Sequence, residues 1–500
     1  MTPGGDLSAP DRTSRARDLA GAGDLPAAIA LLQAAPAAQV PAHRNLLAQL
    51  LVAAERHEEA LAVRIAQAEA EPGVAARQHN VAARFGDMGR AAEAEAAARR
   101  AFALGGDAPE TWLVLARALQ GQDRHDEAEV AFAEALKRRP DYLDALIDQS
   151  QLIWMRTGDA ARARAPLDAA IVRAPSRPDL IVARARLDQF TGAAPEAIHR
   201  DLTASPVAAS GIIQLAAAHA ALGFDSDRAL AHARAAVAQL PGNPATAQQL
   251  AEIHLARDEP EAALALLDPL LEQRPTDQQA LALRHTAWRL AGHPRAMTPA
   301  TYAEVVAGHV IDTPPGWATL DAYLADLARA LAPLHGLSEH PVGQSLRHGT
   351  QTGVDLRYSE DPAIRAFFTA IDGPIRRHMA RLGQGSDPLR SRNTGDYRLA
   401  GCWSVRLRPG GFHAPHIHSK GWLSSACHIE LPSVVEGEGR EGWLGFGAPA
   451  FEGVRPLPPE HYEKPEPGRL VLFPSYMWHG TVPFSGTESR LTIAFDVVPA

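Results

Sequence analysis

Five hundred residues exceed what one hydrophobic core ordinarily organises, so about two to four domains are expected. A formal net charge of −9 argues against a general nucleic-acid binder, which needs a basic stripe to displace counterions. The two cysteines, Cys402 and Cys427, exclude a disulfide framework and point to a reducing compartment.

The first residues, Met1-Thr-Pro-Gly-Gly-Asp6, have neither the basic nor the apolar segment of a signal peptide. No run approaches about eighteen apolar residues, so no membrane span is expected and the cytoplasm is the expected compartment. Residues 1–13 are rich in Pro, Gly and Asp and are expected to form an unstructured tail.

From there to about residue 293 one unit recurs. An alanine after a short polar turn stands at Ala28, Ala60, Ala94, Ala128, Ala163, Ala197, Ala229 and Ala263, in steps of 32 to 35 residues. A helix breaker follows about a dozen positions later, at Pro72, Gly106, Pro140, Pro175, Pro241 and Pro275. The clearest copy places Trp112, Ala116 and Leu119 before Ala128, Phe132, Ala135 and Pro140. These residue types at these offsets resemble the tetratricopeptide repeat, two amphipathic helices per copy. One copy cannot bury its apolar face, so about eight are expected to stack into an α-solenoid whose concave face binds a protein or peptide. Pro206 arrives early in the copy around Ala197, and a local distortion is expected there.

The repeat stops near His293, and residues 294–395 read as a helical bridge with the first part of the next domain. Thr298 with Pro299 predicts a capped helix start. Apolar spacing predicts a helix over residues 320–331, with Pro333 as its stop. Asp361-Pro362 predicts another helix, running to about Leu382 with a break at Pro374. The polar stretch from Gly343 to Thr352 reads as strand and loop, with His348 on the surface.

From residue 396 to 500 the periodicity becomes two, as in Cys402–Arg408, Gly468–Phe473 and Arg490–Val497. Many short strands bounded by Gly and Pro indicate a sandwich or barrel. Gly437-Glu-Gly439-Arg-Glu-Gly442 matches a glycine-rich phosphate loop only formally. It lies in an acidic stretch with no helix pattern after it.

The chemistry concentrates at His416-Ile417-His418 and at His479. Residues i and i+2 of a strand share a face, so the first two imidazoles are expected side by side, with His479 as the third ligand of a metal. Arg490 supplies a planar cation suited to a carboxylate, and Thr492 shares its face. Trp403, Trp422, Trp443, Tyr476 and Trp478 are candidates for pocket walls, although barrel core is the commoner use of such residues, and Cys427 is expected to be buried beside the site and inert.

This end of the chain resembles the Fe(II)- and 2-oxoglutarate-dependent oxygenases, over roughly residues 395–500. Their motif is His-x-Asp/Glu, a distal His, then a basic residue, often as Arg-x-Ser/Thr. Trp422-Leu-Ser-Ser425 and Phe473-Pro-Ser475 ahead of His479 look especially like a bacterial and phage branch with His-x-His. The resemblance implies a double-stranded β-helix, iron(II) on His416, His418 and His479, and 2-oxoglutarate anchored by Arg490 and Thr492. It also implies a hydroxylase-type reaction that converts the cosubstrate to succinate and carbon dioxide. His418 stands where that family has a carboxylate. Either it is the third ligand, or it is one step removed and Glu430, Asp496 or water completes the site, with His413 as a further substitute. Two rivals stand beside this reading. A cupin matches Gly410 and the His pair but lacks its glutamate and leaves Arg490 idle. A scaffold would combine the repeats with a degenerate barrel.

Overall fold

Each copy of the repeat becomes a pair of helices, and the recurring alanine takes the same place in all of them. Described by the computed structural model are residues 9–34, 41–54 and 56–500. The expected tail lies largely outside these residues, and its last part, from Ala9, is already the first helix, Ala9–Gly21. Two compact units divide the chain, Met1–Ala145 and Leu146–Ala500.

Among the described residues, eight helix pairs and one further helix run from Ala9–Gly21 to Gln278–Leu290. The eight marker alanines all lie in the second helix of a pair, and seven of them are fully buried. With no side chain beyond Cβ at these points, the helices approach closely and larger neighbours such as Phe132 and Leu167 fill the space. The exception is Ala197, which is only partly buried. Its helix, Pro195–Thr203, is just 9 residues long, and the chain then turns through Ser205 and Pro206. The expected distortion is therefore present.

The second unit contains the later repeats together with the strand-rich end. At the expected boundary near residue 293 the last repeat helix shares a core with the barrel. Trp478, Ile417, Phe451, Leu457 and Tyr476 pack with Leu267, Leu281, Leu283, Ala287 and Leu290. The Trp478 indole N–H also donates to Thr286 at 3.0 Å, and Arg289 pairs with Glu460 at 3.0 Å. Burying one Trp side chain stabilises such a junction by on the order of 4 kcal/mol.

Among the described residues, nine strands form two antiparallel sheets: β1 (Ala307–Val310), β2 (Leu346–Gln351), β3 (Tyr397–His413), β4 (Leu423–Glu430), β5 (Leu444–Phe446), β6 (His461–Glu463), β7 (Arg469–Pro474), β8 (His479–Thr481) and β9 (Arg490–Pro499). The larger sheet has the order β1-β7-β4-β9-β3-β2 and the smaller β6-β5-β8, which His416 extends through a bridge to His479. After β3 the chain passes to the smaller sheet at His416, back at β4, across for β5 and β6, back at β7, across at β8 and home at β9. This alternation is the double-stranded β-helix. Its outer face is covered by the helices Leu320–Leu331 and Pro362–Leu382, which supply Tyr323, Leu327, Phe367 and Ile371 to the main core.

Local rules account for the bridge. Thr298 caps Pro299–Val305 and Asp361 caps Pro362–Leu382 through their side-chain oxygens. The helix does not break at Pro374, contrary to expectation. Pro374 cannot donate to the carbonyl of Ala370, but the amide of Asp312 does so at 2.9 Å, so no polar group is orphaned. At the β2–β3 bulge His348 adopts a positive φ of 53° and faces outward, as expected. Strand β1, four residues at a sheet edge, was not legible in the sequence.

Two predictions follow from this packing. Ala163→Leu forces three extra carbons between crossed helices and should cost about 1–3 kcal/mol, read as a lowered denaturant midpoint by circular dichroism. Ala197→Leu, at the partly buried copy, should cost roughly half of that or less. The second concerns acid. Burial holds the fully enclosed His378 at about 3, below its ordinary 6.5. The unfolded chain takes up a proton near 6.5 that the folded one refuses, so stability present above pH 6.5 is lost as pH falls towards 3. This single group contributes about 1.4 kcal/mol per pH unit in that window. His378→Leu should flatten that part of the pH dependence in thermal melts between pH 7 and 5.

Candidate active site

Three imidazoles meet where the two sheets face each other. Strand β3 ends at His413, and Pro415 has no amide to continue a ladder, so residues 414–418 are extended rather than the regular strand expected. Backbone bonds still fix the segment: His416 and His479 exchange both amide bonds, at 3.0 and 3.1 Å, and the His418 amide donates to Ser475 at 3.0 Å. Gly480 makes this possible, because a Cβ there would lie 2.8 Å from the carbonyl oxygen of His413. Alternation survives. His416 and His418 face His479, while Ile417 points the other way into the core of the last repeat.

The tautomers follow from the outer partners. Nδ1–H of His416 donates to the carbonyl of Ala414 at 2.9 Å, and Nδ1–H of His479 to that of Met477 at 3.0 Å. Nδ1–H of His418 donates to the Asp496 carboxylate at 2.5 Å. In these tautomers the Nε2 of each neutral ring keeps its lone pair free. The ligand atoms of the three residues lie within 4.8 Å of one another, and Nε2 of His416 and His418 are 3.2 Å apart. With both rings neutral neither has a proton for the other, and a shared cation would turn the contact into attraction. Desolvation, reinforced by the neighbouring imidazoles, holds His416 at about 3 and His479 well below the ordinary histidine range. Both stay neutral at physiological pH, as a ligand must.

Asp496 is thus brought to the site, but against His418. Ser424 donates to the same carboxylate oxygen at 2.8 Å and meets Ser475 at 2.9 Å. Gly421 leaves room for this chain of groups, since a Cβ there would collide with the Ser475 hydroxyl. The other substitutes fall away. Glu430 is exposed at the end of β4. His413 lies outside the cluster and bonds instead to the Ser345 hydroxyl at 2.9 Å, which in turn lies 3.2 Å from Nε2 of His416.

Along β9 the alternate residues Arg490, Thr492, Ala494 and Asp496 line the same cavity as the histidines, a space of ≈ 530 Å³. Arg490 is 2 % exposed and has no carboxylate partner among the described residues. It donates to the Thr481 hydroxyl at 3.0 Å and to Nδ1 of His428 at 3.3 Å, while its Nε finds no acceptor. Burial lowers it to about 10, so it remains a cation at neutral pH. His428, itself fully buried and held neutral by desolvation and by Arg490, orients the guanidinium without cancelling its charge. The sequence reading missed His428 and Thr481, although the i+2 spacing of Ser424, Ala426 and His428 on β4 was available to place them on one face.

Of the aromatic residues considered, Trp403 lines the cavity. Trp422 is core and bonds to the carbonyl of Leu389, whereas Tyr476 and Trp478 pack on the repeats. Cys427 belongs to the core beneath the helices rather than to the site, and burial raises its thiol far above the usual range.

Removing the acceptor of His418 should weaken metal binding by the three histidines. Asp496→Ala is expected to weaken Fe(II) or Co(II) affinity by about 10–100-fold in calorimetric titration. Ser424→Ala, which leaves the carboxylate in place, should have a smaller effect.

Comparison with known proteins agrees with both halves of this description. Residues 224–285 match the family described as tetratricopeptide repeat, and residues 401–496 match that described as "Putative 2OG-Fe(II) oxygenase". No curated protein matches the chain. Among solved structures, the chain is similar to a tetratricopeptide repeat protein from Parabacteroides merdae at 15 % identity, covering 56 % of this chain and 98 % of that one, with a TM-score of 0.33. It is also similar to the Cut9–Hcn1 hetero-tetramer of the APC/C at 13 % identity, covering 55 % of each chain, with a TM-score of 0.30. No helix among the described residues is long and apolar enough to cross a membrane. The chain therefore joins tetratricopeptide repeats to a C-terminal domain of the 2OG-Fe(II) oxygenase family.

Proposed function

We propose that the protein is an Fe(II)- and 2-oxoglutarate-dependent oxygenase of hydroxylase type, acting on a protein or peptide recruited by its repeats. The observation that carries this reading is one cavity holding both halves of the requirement. Three imidazoles turn their ligand atoms towards one another, and an enclosed guanidinium has no carboxylate partner among the described residues.

His416, His418 and His479 would hold the iron, leaving further coordination positions to ligands and oxygen. Bound there, iron(II) would activate dioxygen, one oxygen atom of which goes into succinate as 2-oxoglutarate loses carbon dioxide and the other into the substrate. The protein's own groups do the rest. Asp496 keeps Nδ1 of His418 protonated and so keeps Nε2 available. Arg490, set by Thr481 and His428, would take the distal carboxylate of 2-oxoglutarate in a planar pair, with the Thr492 hydroxyl as a further donor on the same strand face. A carboxylate there would give the unpaired Arg490 Nε an acceptor. The low-dielectric walls strengthen that pairing and exclude bulk water.

A cupin-type site would use the histidines but has no task for Arg490. A degenerate scaffold has no reason to keep three tautomers set outward-in around a common point. Anaerobic addition of Fe(II) and 2-oxoglutarate is expected to give a visible metal-to-ligand charge-transfer band. Arg490→Ala should abolish that band while leaving metal binding itself. Tight zinc binding with no response to 2-oxoglutarate, or no metal binding, would sink the oxygenase reading.

A further inference from the structure

The cavity around the histidines is not enclosed by the barrel alone. Gln189 and Phe190, from the repeat helix Pro178–Phe190, and His219, from Gly211–Leu222, line it opposite β3 and β9. A second cavity of ≈ 410 Å³ lies on the other side of the turn that follows His418, walled by Gln248, Arg274 and Gln279 of the later repeats and by Arg392. Ser419 and Lys420 line both. The two spaces thus flank one turn, with repeat residues along one side of each.

Many arginines along the repeats are matched by carboxylates: Arg124 by Glu95 and Glu127, Arg164 by Asp168, Asp188 and Asp201, Arg257 by Asp227 and Glu259. At the mouth Arg274 is matched by Asp277, but three cations are not matched. Among the described residues Arg347 bonds only backbone carbonyls and stacks on Phe190, Arg392 bonds only the carbonyl of Gly421, and Lys420 is exposed with no acidic partner. The nearby carboxylates are engaged, Asp277 with Gln248 and Arg274 and Asp496 with His418. A chain of net charge −9 therefore presents uncompensated positive charge around its candidate active site.

We infer that the substrate segment is an acidic peptide, lying extended across the turn at Lys420, with its carboxylates on Arg392 and Lys420 on one side and Arg347 on the other. This deepens the oxygenase reading and rests on it for the word substrate. The binding itself does not. Side-chain amides and an imidazole, Gln189, His219 and Gln248, suit the backbone and polar groups of a peptide. The one aromatic face on the repeat side of the mouth, Phe190, is already covered by Arg347 and Arg186, which removes a platform for stacked bases.

The test is fluorescence anisotropy of the full-length protein without metal, at low salt, using labelled decaglutamate, decalysine and a ten-residue oligothymidylate. Decaglutamate should bind, weaken as salt is raised, and bind about tenfold or more weakly to the Arg392→Gln/Lys420→Gln double variant. Lys137→Gln, at an exposed position far along the repeats in sequence, should bind decaglutamate like the parent, and decalysine should not bind. Unchanged affinity in a double variant whose circular dichroism is native overturns the proposal. So does tighter binding of the oligothymidylate, which would make the surface a nucleic-acid site. Because the anisotropy is read without metal, a missing visible band with Fe(II) and 2-oxoglutarate would count against the oxygenase reading alone.

Discussion

The junction of Trp478 and Ile417 with the last repeat helix is the contact on which the second unit depends. A stack of repeats ends in an apolar face that must be covered. Here the helix Gln278–Leu290 has no repeat partner beyond it, and the barrel provides the cover through Trp478, Ile417, Phe451 and Leu457. Two of these residues adjoin metal-ligand candidates in sequence. Ile417 separates His416 from His418, and Trp478 precedes His479. The backbone that aims the imidazoles is therefore pinned from behind by the last repeat helices, which share one core with it.

That arrangement explains which parts of the molecule were legible in the amino-acid sequence. Eight alanines in register sufficed for the helix pairs, because close crossing tolerates nothing larger, and the one irregular copy was marked by Pro206. That His416 shares a face with His418, and Arg490 with Thr492, was legible because side chains alternate along an extended chain. How the last repeat meets the barrel was not legible. Where two cores merge depends on a pairing between residues such as Thr286 and Trp478, 192 positions apart, and no local pattern encodes it. Pro374 misled for the same reason, since the amide that replaces its missing bond comes from Asp312.

The role of His418 sits between these cases. Its position was plain, and so was the list of carboxylates that might accompany it. Choosing among Glu430, Asp496 and His413 required knowing which way each strand turns its faces. Glu430 ends β4 in solvent, His413 turns to Ser345, and Asp496, third in line behind Arg490 on β9, reaches Nδ1 of His418. His428 escaped notice because a lone histidine inside an apolar strand looks structural. Its significance appears only beside an arginine that has no acid.

The Asp496–His418 pair has a consequence for the electrical balance of the pocket. In a site with two histidines and a carboxylate, the negative charge sits on the cation itself. Here the same single negative charge is kept but displaced outward by the width of one imidazole, which relays it through a short hydrogen bond. The formal charge enclosed by the cavity is unchanged, while its distribution shifts towards β9. A dication on the three imidazoles, with Arg490, Asp496 and a dianionic cosubstrate, would leave the interior electrically neutral. Neutrality of that kind spares a low-dielectric cavity the cost of enclosing net charge.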